Sequence, residues 1–205
     1  MEKVHLITLS DRASRGEYQD QSTPLLAEWL KGQGVQTVTA ALLPDEPDQL
    51  EQDLRRQVAA GTPLVLTCGG TGFGTRDTTP EATRSIIERE APGICELIRA
   101  RGGHPLAFAS RAVCGIAGHT VILNLSGRPA AALEQIQLAW PLLAHAVGVL
   151  RKDSNAGGPC TGGSGDASTT GAGCTSGAAG RHLMRPRPPP TSSTAAATRA
   201  GRRWP

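Results

Sequence analysis

Aromatic side chains, long apolar runs and closely spaced cysteines are all scarce in this chain of 205 residues. Aromatic residues make up only 3% of it, which argues against a surface that binds nucleic acid by base stacking. No stretch approaches the roughly 20 apolar residues that cross a bilayer, so we expect no membrane partner. The five cysteines include no C-x-x-C pair. That pattern suits a reducing compartment and predicts a cytoplasmic protein.

The net charge of +3 is distributed unevenly along the chain. Residues 1–152 carry 15 basic and 16 acidic side chains, whereas residues 153–205 carry six arginines and two aspartates. The larger part of the chain therefore offers no strongly basic face for the phosphates of DNA or RNA. We expect no nucleic-acid partner.

The composition changes sharply after Lys152, where Gly, Ser, Thr, Ala, Pro and Arg replace the large apolar residues. Such a segment cannot bury enough apolar surface to offset the entropy lost on ordering its backbone. The sequence therefore predicts a folded domain over residues 1–152 and a low-complexity, disordered tail over residues 153–205. The tail is either a dispensable linker, or a segment read out of frame, or an Arg- and Pro-rich docking segment.

Short apolar runs alternate with helical patterns along residues 1–152. Strands are predicted at residues 4–9, 35–43, 63–67, 113–116 and 120–125. Helices are predicted around residues 25–30 and at 48–60, 80–90, 94–101 and 130–150, with Thr79 capping the third and Pro141 breaking the last. Continuous apolar strands that alternate with helices indicate an α/β protein in which helices cover both faces of a mostly parallel sheet, a three-layer α/β/α sandwich.

Ligands of open α/β sheets bind at the carboxyl ends of the strands. Each strand here is followed by a loop that combines Gly or Pro with hydroxyl, acidic or arginine side chains. The candidate residues in these loops are Ser10, Asp11, Asp45, Gly69, Gly70, Thr71, Gly72, Asp77, Ser126 and Gly127. The nearby arginines Arg12, Arg76 and Arg128 could hold a phosphate, or could simply be surface residues.

The glycine cluster and the acids allow two interpretations each. Backbone N–H groups of residues 69–72 could line a nest for phosphate oxygens, or the segment could be a tight turn. Asp77 is either a magnesium ligand near that phosphate or an acid stabilised by a helix N-terminus. Asp45 is a functional acid or a solvated turn residue.

Four stretches together carry a family resemblance: SDRAS-R-G-x-Y-x-D, L-L-P-D-E, T-x-GGTG-F-x-x-RD-T-TPEAT and I-L-N-L-x-G-R-P. Over about residues 3–150 the chain resembles the MoaB/Mog family of molybdopterin adenylyltransferases. The resemblance implies a trimeric α/β protein in molybdenum cofactor biosynthesis. It also implies Mg²⁺-dependent transfer of AMP from ATP to molybdopterin, with release of pyrophosphate, and a molybdenum-insertion enzyme that takes the product.

The resemblance also implies roles for individual residues. Asp45 and Asp77 match the two acids of adenylyl transfer and would hold the Mg²⁺. The four residues 69–72 match the phosphate-binding loop, and Ser10 and Asp11 match the first ligand-binding loop. The chain departs from the family at Ser126, because the family usually has proline at that position.

Three alternatives to the enzyme remain open on the sequence. The first is a non-catalytic protein of the same fold that binds molybdopterin. The second is a scaffold that works through its tail, and the third is an enzyme for another nucleotide or a phosphosugar.

Overall fold

A computed structural model describes residues 1–156 of the chain. Six strands and six α-helices follow one another, with one 3-10 helix at Pro105–Ala109. The strands are β1 (Lys3–Leu9), β2 (Thr37–Leu43), β3 (Leu64–Cys68), β4 (Arg89–Glu90), β5 (Cys114–Ala117) and β6 (Thr120–Leu125). The helices are α1 (Asp11–Ser14), α2 (Ser22–Gly32), α3 (Pro47–Ala59), α4 (Thr79–Arg84), α5 (Pro92–Arg101) and α6 (Pro129–Ala156).

All six strands form one sheet in the order β2-β1-β3-β6-β5-β4. The pairs β1–β2, β1–β3 and β3–β6 are parallel, whereas β5 runs antiparallel to both β6 and β4. The mostly parallel sheet predicted from the sequence is confirmed. The antiparallel edge comes from the predicted hairpin, whose two-residue turn places Gly118 at φ +55°.

Two apolar clusters place helices on both faces of the sheet. One face packs Leu6, Leu66 and Leu123 against α2, α5 and α6. The other packs Ile7 and Val65 against α3 and α4. Side chains alternate between the two faces of a strand, so strands covered on both faces carry apolar side chains on both. The predicted three-layer sandwich is therefore confirmed.

Two predicted helices differ from those observed. Helix α4 ends at Arg84, and the chain later forms the short strand β4. On either side of β4, the N–H of Glu88 donates to the carbonyl of Ile116 (2.8 Å) and that of Ala91 to the carbonyl of Cys114 (2.8 Å). These long-range backbone bonds override the local helical pattern of residues 85–90. Thr79 lies inside α4 rather than capping it, and Thr78 before it makes no capping bond.

Helix α6 is continuous through Pro141, although a proline inside a helix costs about 3 kcal/mol. Its buried residues recur every three or four positions on one face, which packs against the sheet and holds the helix across the proline: Ala132, Ile136, Ala139, Leu143, Val147 and Leu150.

Helix α6 ends at Ala156, four residues past the predicted boundary at Lys152. The predicted disorder of the rest of the tail lies outside the described residues. Over residues 1–156, no helix has the length and apolarity needed to cross a membrane.

Candidate active site

The carboxyl ends of the four parallel strands lie along one edge of the sheet, in the order β2, β1, β3, β6. The loop after each strand carries candidate residues from the sequence. Parallel pairing therefore brings together segments that are distant in the chain, as expected for a ligand site of an open α/β sheet.

The glycine turn, residues 69–72, begins directly after β3 and is tightly enclosed. Gly69 and Gly70 have φ values of +110° and +62°, a conformation that favours glycine. A Cβ on Gly69 would lie 2.4 Å from the carbonyl oxygen of Leu9, and one on Gly70 would lie 2.3 Å from Oγ1 of Thr79. A larger residue at either position would disrupt the turn.

The Asp77 carboxylate lies close to Gly72, the last residue of the glycine turn. Its Oδ2 accepts a hydrogen bond from the N–H of Gly74 (2.7 Å) and lies 3.0 Å from where a Cβ on Gly72 would be. The carboxylate therefore closes the loop that precedes α4.

Asp45 approaches the glycine turn from the loop after β2. Its Oδ1 lies 3.6 Å from the position of a Cβ on Gly70 and accepts no hydrogen bond from the described residues. Asp45 and Asp11 are joined by two reciprocal hydrogen bonds. The N–H of Asp11 donates to Oδ2 of Asp45 (2.9 Å), and the N–H of Asp45 donates to Oδ1 of Asp11 (3.0 Å). This exchange joins the loops after β1 and β2.

Burial raises the pKa of the Asp45 carboxyl above its ordinary value. The bond from the Asp11 backbone opposes the rise, while the negative charges of Asp11 and Asp77 add to it. The charge of Asp77 therefore acts on Asp45. Two acids that are far apart in the sequence face the same turn.

Arg76 binds the acids of the neighbouring loops. It donates to both oxygens of Asp11 (3.1 and 2.9 Å) and to Glu46 (2.8 Å). The hydrogen bonds from Arg76 are the main reason that the pKa of Asp11 is lowered. Arg12, another of the three candidate phosphate ligands, pairs with Glu17 and lies over the Tyr18 ring.

A cleft of about 470 Å³ opens beside the glycine turn. Six candidate residues line it: Gly70, Thr71, Gly72, Asp77, Ser126 and Gly127. Arg128 lines it as well. Ser10, Asp11, Asp45 and Gly69 do not line the cleft.

The four candidates that do not line the cleft make contacts within and between the loops after the strands. The hydroxyl of Ser10 caps α1 through the N–H of Ala13 (3.2 Å). Gly69 packs closely against Gly127. A Cβ on Gly127 would lie 3.2 Å from the Cα of Gly69. Asp45 and Asp11 reach the turn from the side of β2.

Sequence reasoning missed the opposite wall of the cleft. Residues 102–110 form most of that wall, with Glu134 and Gln135 from α6. Arg111, directly after this segment, donates from Nε to the carbonyl of Gly72 (2.6 Å). No local motif marks these residues, because they reach the glycine turn only through the packing of α5 and α6.

Comparison with known proteins supports the family resemblance. The family described as "Probable molybdopterin binding domain" matches residues 5–145. The chain belongs to this family. A molybdopterin adenylyltransferase of Haemophilus influenzae is 44% identical over 140 residues, which are 66% of this chain and 71% of that protein. The Escherichia coli K12 protein of the same name is 41% identical over 140 residues, which are 66% and 72% of the two chains.

Solved structures of the molybdopterin-binding family share this fold. The molybdopterin biosynthesis enzyme MoaB of Thermus thermophilus superposes with a TM-score of 0.70 at 41% identity, covering 74% of this chain and 98% of that one. The MoaB/Mog resemblance predicted from the sequence is confirmed.

Asp45 and Asp77 are the carboxylates beside the glycine turn that could hold a metal ion. No group of three or more His, Cys, Asp and Glu side chains within the described part of the chain is arranged to hold a metal. Magnesium instead takes one or two carboxylates together with phosphate oxygens and water. Asp45, with Oδ1 directed at the glycine turn, and Asp77 match that donor set.

Proposed function

We propose that this protein is a molybdopterin adenylyltransferase that transfers AMP from ATP to molybdopterin and releases pyrophosphate, with Mg²⁺ as its cofactor. The names of its relatives support the reaction and place it in molybdenum cofactor biosynthesis. The observation that carries the proposal is the approach of the Asp45 and Asp77 carboxylates to the same glycine turn, at Gly70 and at Gly72 respectively.

Residues 70–72 of the glycine turn bind the phosphates of ATP, since the N–H of Gly69 donates to the carbonyl of Leu125 (3.2 Å). Residues without side chains let the backbone N–H groups approach phosphate oxygens, and such groups form an anion-binding nest. Asp45 and Asp77 would hold a magnesium ion, which would offset negative charge on the phosphates when bound. Asp11 orients Asp45 through the paired backbone hydrogen bonds.

The reaction needs no strong base. The attacking group of molybdopterin is a phosphate that is already ionised near neutral pH, so catalysis depends on positioning and on charge neutralisation. The cleft of about 470 Å³ accommodates the second substrate beside the turn, with Ser126 and Gly127 in its wall. Arg128, also in that wall, supplies a positive charge for a polyanionic ligand.

The proposal extends to the surroundings of the enzyme. We expect a homotrimer in the cytoplasm that passes its product to a molybdenum-insertion enzyme, and no nucleic-acid or membrane partner. Size-exclusion chromatography with light scattering measures the oligomeric state directly.

The function is tested by incubating the purified protein with ATP, Mg²⁺ and molybdopterin. Mass spectrometry should detect adenylyl-molybdopterin, and pyrophosphate should appear in equal amount. Asp77→Asn should lower the rate by about 100-fold or more, because it removes one of the two carboxylates that would hold the magnesium ion. Near-wild-type turnover of this variant would refute the role of Asp77.

Asp48→Asn is the matched control, because Asp48 is an exposed aspartate in the first turn of α3. It should leave the rate unchanged. Molybdopterin binding without pyrophosphate release would support the non-catalytic alternative. Loss of activity on truncation after Ala156 would support the scaffold alternative, and turnover of another phosphorylated acceptor alone would support the third.

A further inference from the structure

Arg111 joins the two walls of the cleft. It lies between the 3-10 helix and β5, next to Ser110 in the cleft wall. Its guanidinium donates to the carbonyl of Gly72 (2.6 Å), to the carbonyl of Asp77 and to the carboxylate of Glu81. Its backbone N–H donates to the carbonyl of Thr71 (3.0 Å).

These contacts control the orientation of the peptide planes in the loop. A peptide unit is planar and trans, so the carbonyl of one residue fixes the direction of the next residue's N–H. By binding the carbonyls of Thr71 and Gly72, Arg111 directs the N–H groups of Gly72 and Phe73 away from itself. Both of those residues line the cleft.

Arg111 also holds the backbone of Asp77. The carbonyl of Asp77 is bound by the guanidinium, while its carboxylate accepts the N–H of Gly74. The loop from Thr71 to Asp77 is therefore attached to Arg111 at both ends. Arg111 also forms an ion pair with Glu81 of α4. Its positive charge is therefore already paired, so Arg111 supports the loop rather than binding a phosphate.

We propose that Arg111 is a positioning residue that fixes the glycine turn and Asp77 for catalysis. This inference rests on the proposed function. The geometry requires arginine, because its planar fork offers donors in several directions, whereas the lysine ammonium is a compact group on a flexible stem. Lysine keeps the charge but cannot serve both carbonyls and Glu81 together.

Hydrogen–deuterium exchange tests the positioning independently of turnover. Arg111→Lys and Arg111→Met should both accelerate exchange of the amides of Gly74, Asp77 and Thr79 by about tenfold or more, the equivalent of one lost hydrogen bond to a charged group. Exchange in β1 and β3 should stay unchanged. Arg84→Lys is the control, because Arg84 makes an exposed ion pair with Glu90.

Kinetics then separates positioning from general support of the fold. Both Arg111 variants should lower kcat by about tenfold or more, with KM for molybdopterin changed by less than about twofold. Unchanged loop exchange, or full recovery of kcat by lysine, would overturn the proposal. If the wild-type protein makes no adenylyl-molybdopterin, the proposed function fails, and the exchange data still decide whether Arg111 orders the loop.

Discussion

The family resemblance implies a proline at the position of Ser126, and the structure shows a hydrogen bond at Ser126 that proline could not make. The N–H of Ser126 donates to Oε1 of Gln135 (2.7 Å), a side chain that is only 8% exposed. The Ser126 hydroxyl also accepts the N–H of Arg128 (3.2 Å). We therefore predict that hydrogen bonding to α6 fixes this loop in place of a proline ring.

A double-mutant cycle measures how strongly the hydrogen bond between Ser126 and Gln135 stabilises the fold. Ser126→Pro removes the donor and leaves the buried Gln135 oxygen without a partner, which costs about 1–3 kcal/mol. Reduced freedom of the unfolded chain returns about 0.4–1 kcal/mol, so the net loss should be roughly 1–2 kcal/mol. With Gln135→Met already present, no acceptor remains to be orphaned, and the same proline should be neutral or stabilising.

Urea denaturation of the four proteins, followed by far-ultraviolet circular dichroism, gives the free energies of unfolding. We expect a coupling energy of about 1 kcal/mol or more between the two positions. Gln135→Glu keeps an acceptor and should preserve most of the stability. Additive effects of Ser126→Pro and Gln135→Met would refute the reasoning.

Three further predictions concern the core and the turn. Burial raises the pKa of Asp53, but hydrogen bonds from His5 and Arg56 outweigh it and lower the pKa to about 2 from 3.8. Asp53 thus stabilises the fold above about pH 4 and loses this effect as the pH falls towards 2. Asp53→Asn should cost roughly 2 kcal/mol at pH 7 and less in acid, by urea titration across pH. Asn124→Ala removes three buried side-chain hydrogen bonds and should cost about 3–5 kcal/mol by the same assay. Gly70→Ala should abolish ATP binding in calorimetry, and unchanged affinity would contradict the tight enclosure of the turn.

The sequence predicted the sheet well because its signals are local. Each parallel strand is an apolar run, and each is followed by glycine, proline or acidic residues. Residues 85–90 were the exception. Their sequence pattern predicts a helix, but backbone hydrogen bonds to β5, a strand more than 20 residues away, hold part of this segment as β4. Pro141 was overridden in the same way, by the buried face of α6.

The candidate site was predictable only on the side made of strand-end loops. The approach of Asp45 and Asp77 to the glycine turn follows from parallel strand order, which the alternation of strands and helices indicates. The contact of Arg111 with Gly72 spans 39 residues and depends on how α5 and β5 pack. No periodicity or motif in the sequence encodes that distance.

The arginines show why charge at such a site cannot be assigned from sequence alone. Arg12, Arg76 and Arg128 were equivalent candidates for binding phosphate, yet Arg12 and Arg76 are paired with acids of their own chain. Arg128 lines the cleft and forms no ion pair with any residue that the structure describes. A polyanionic substrate in the cleft would thus meet Arg128, the glycine turn and the carboxylate of Asp77, with the carboxylate of Asp45 close to the same turn at Gly70. Because those carboxylates repel phosphate, tight binding of ATP requires a cation beside them. We therefore expect ATP affinity in calorimetry to depend steeply on Mg²⁺, and this dependence should weaken in Asp45→Asn.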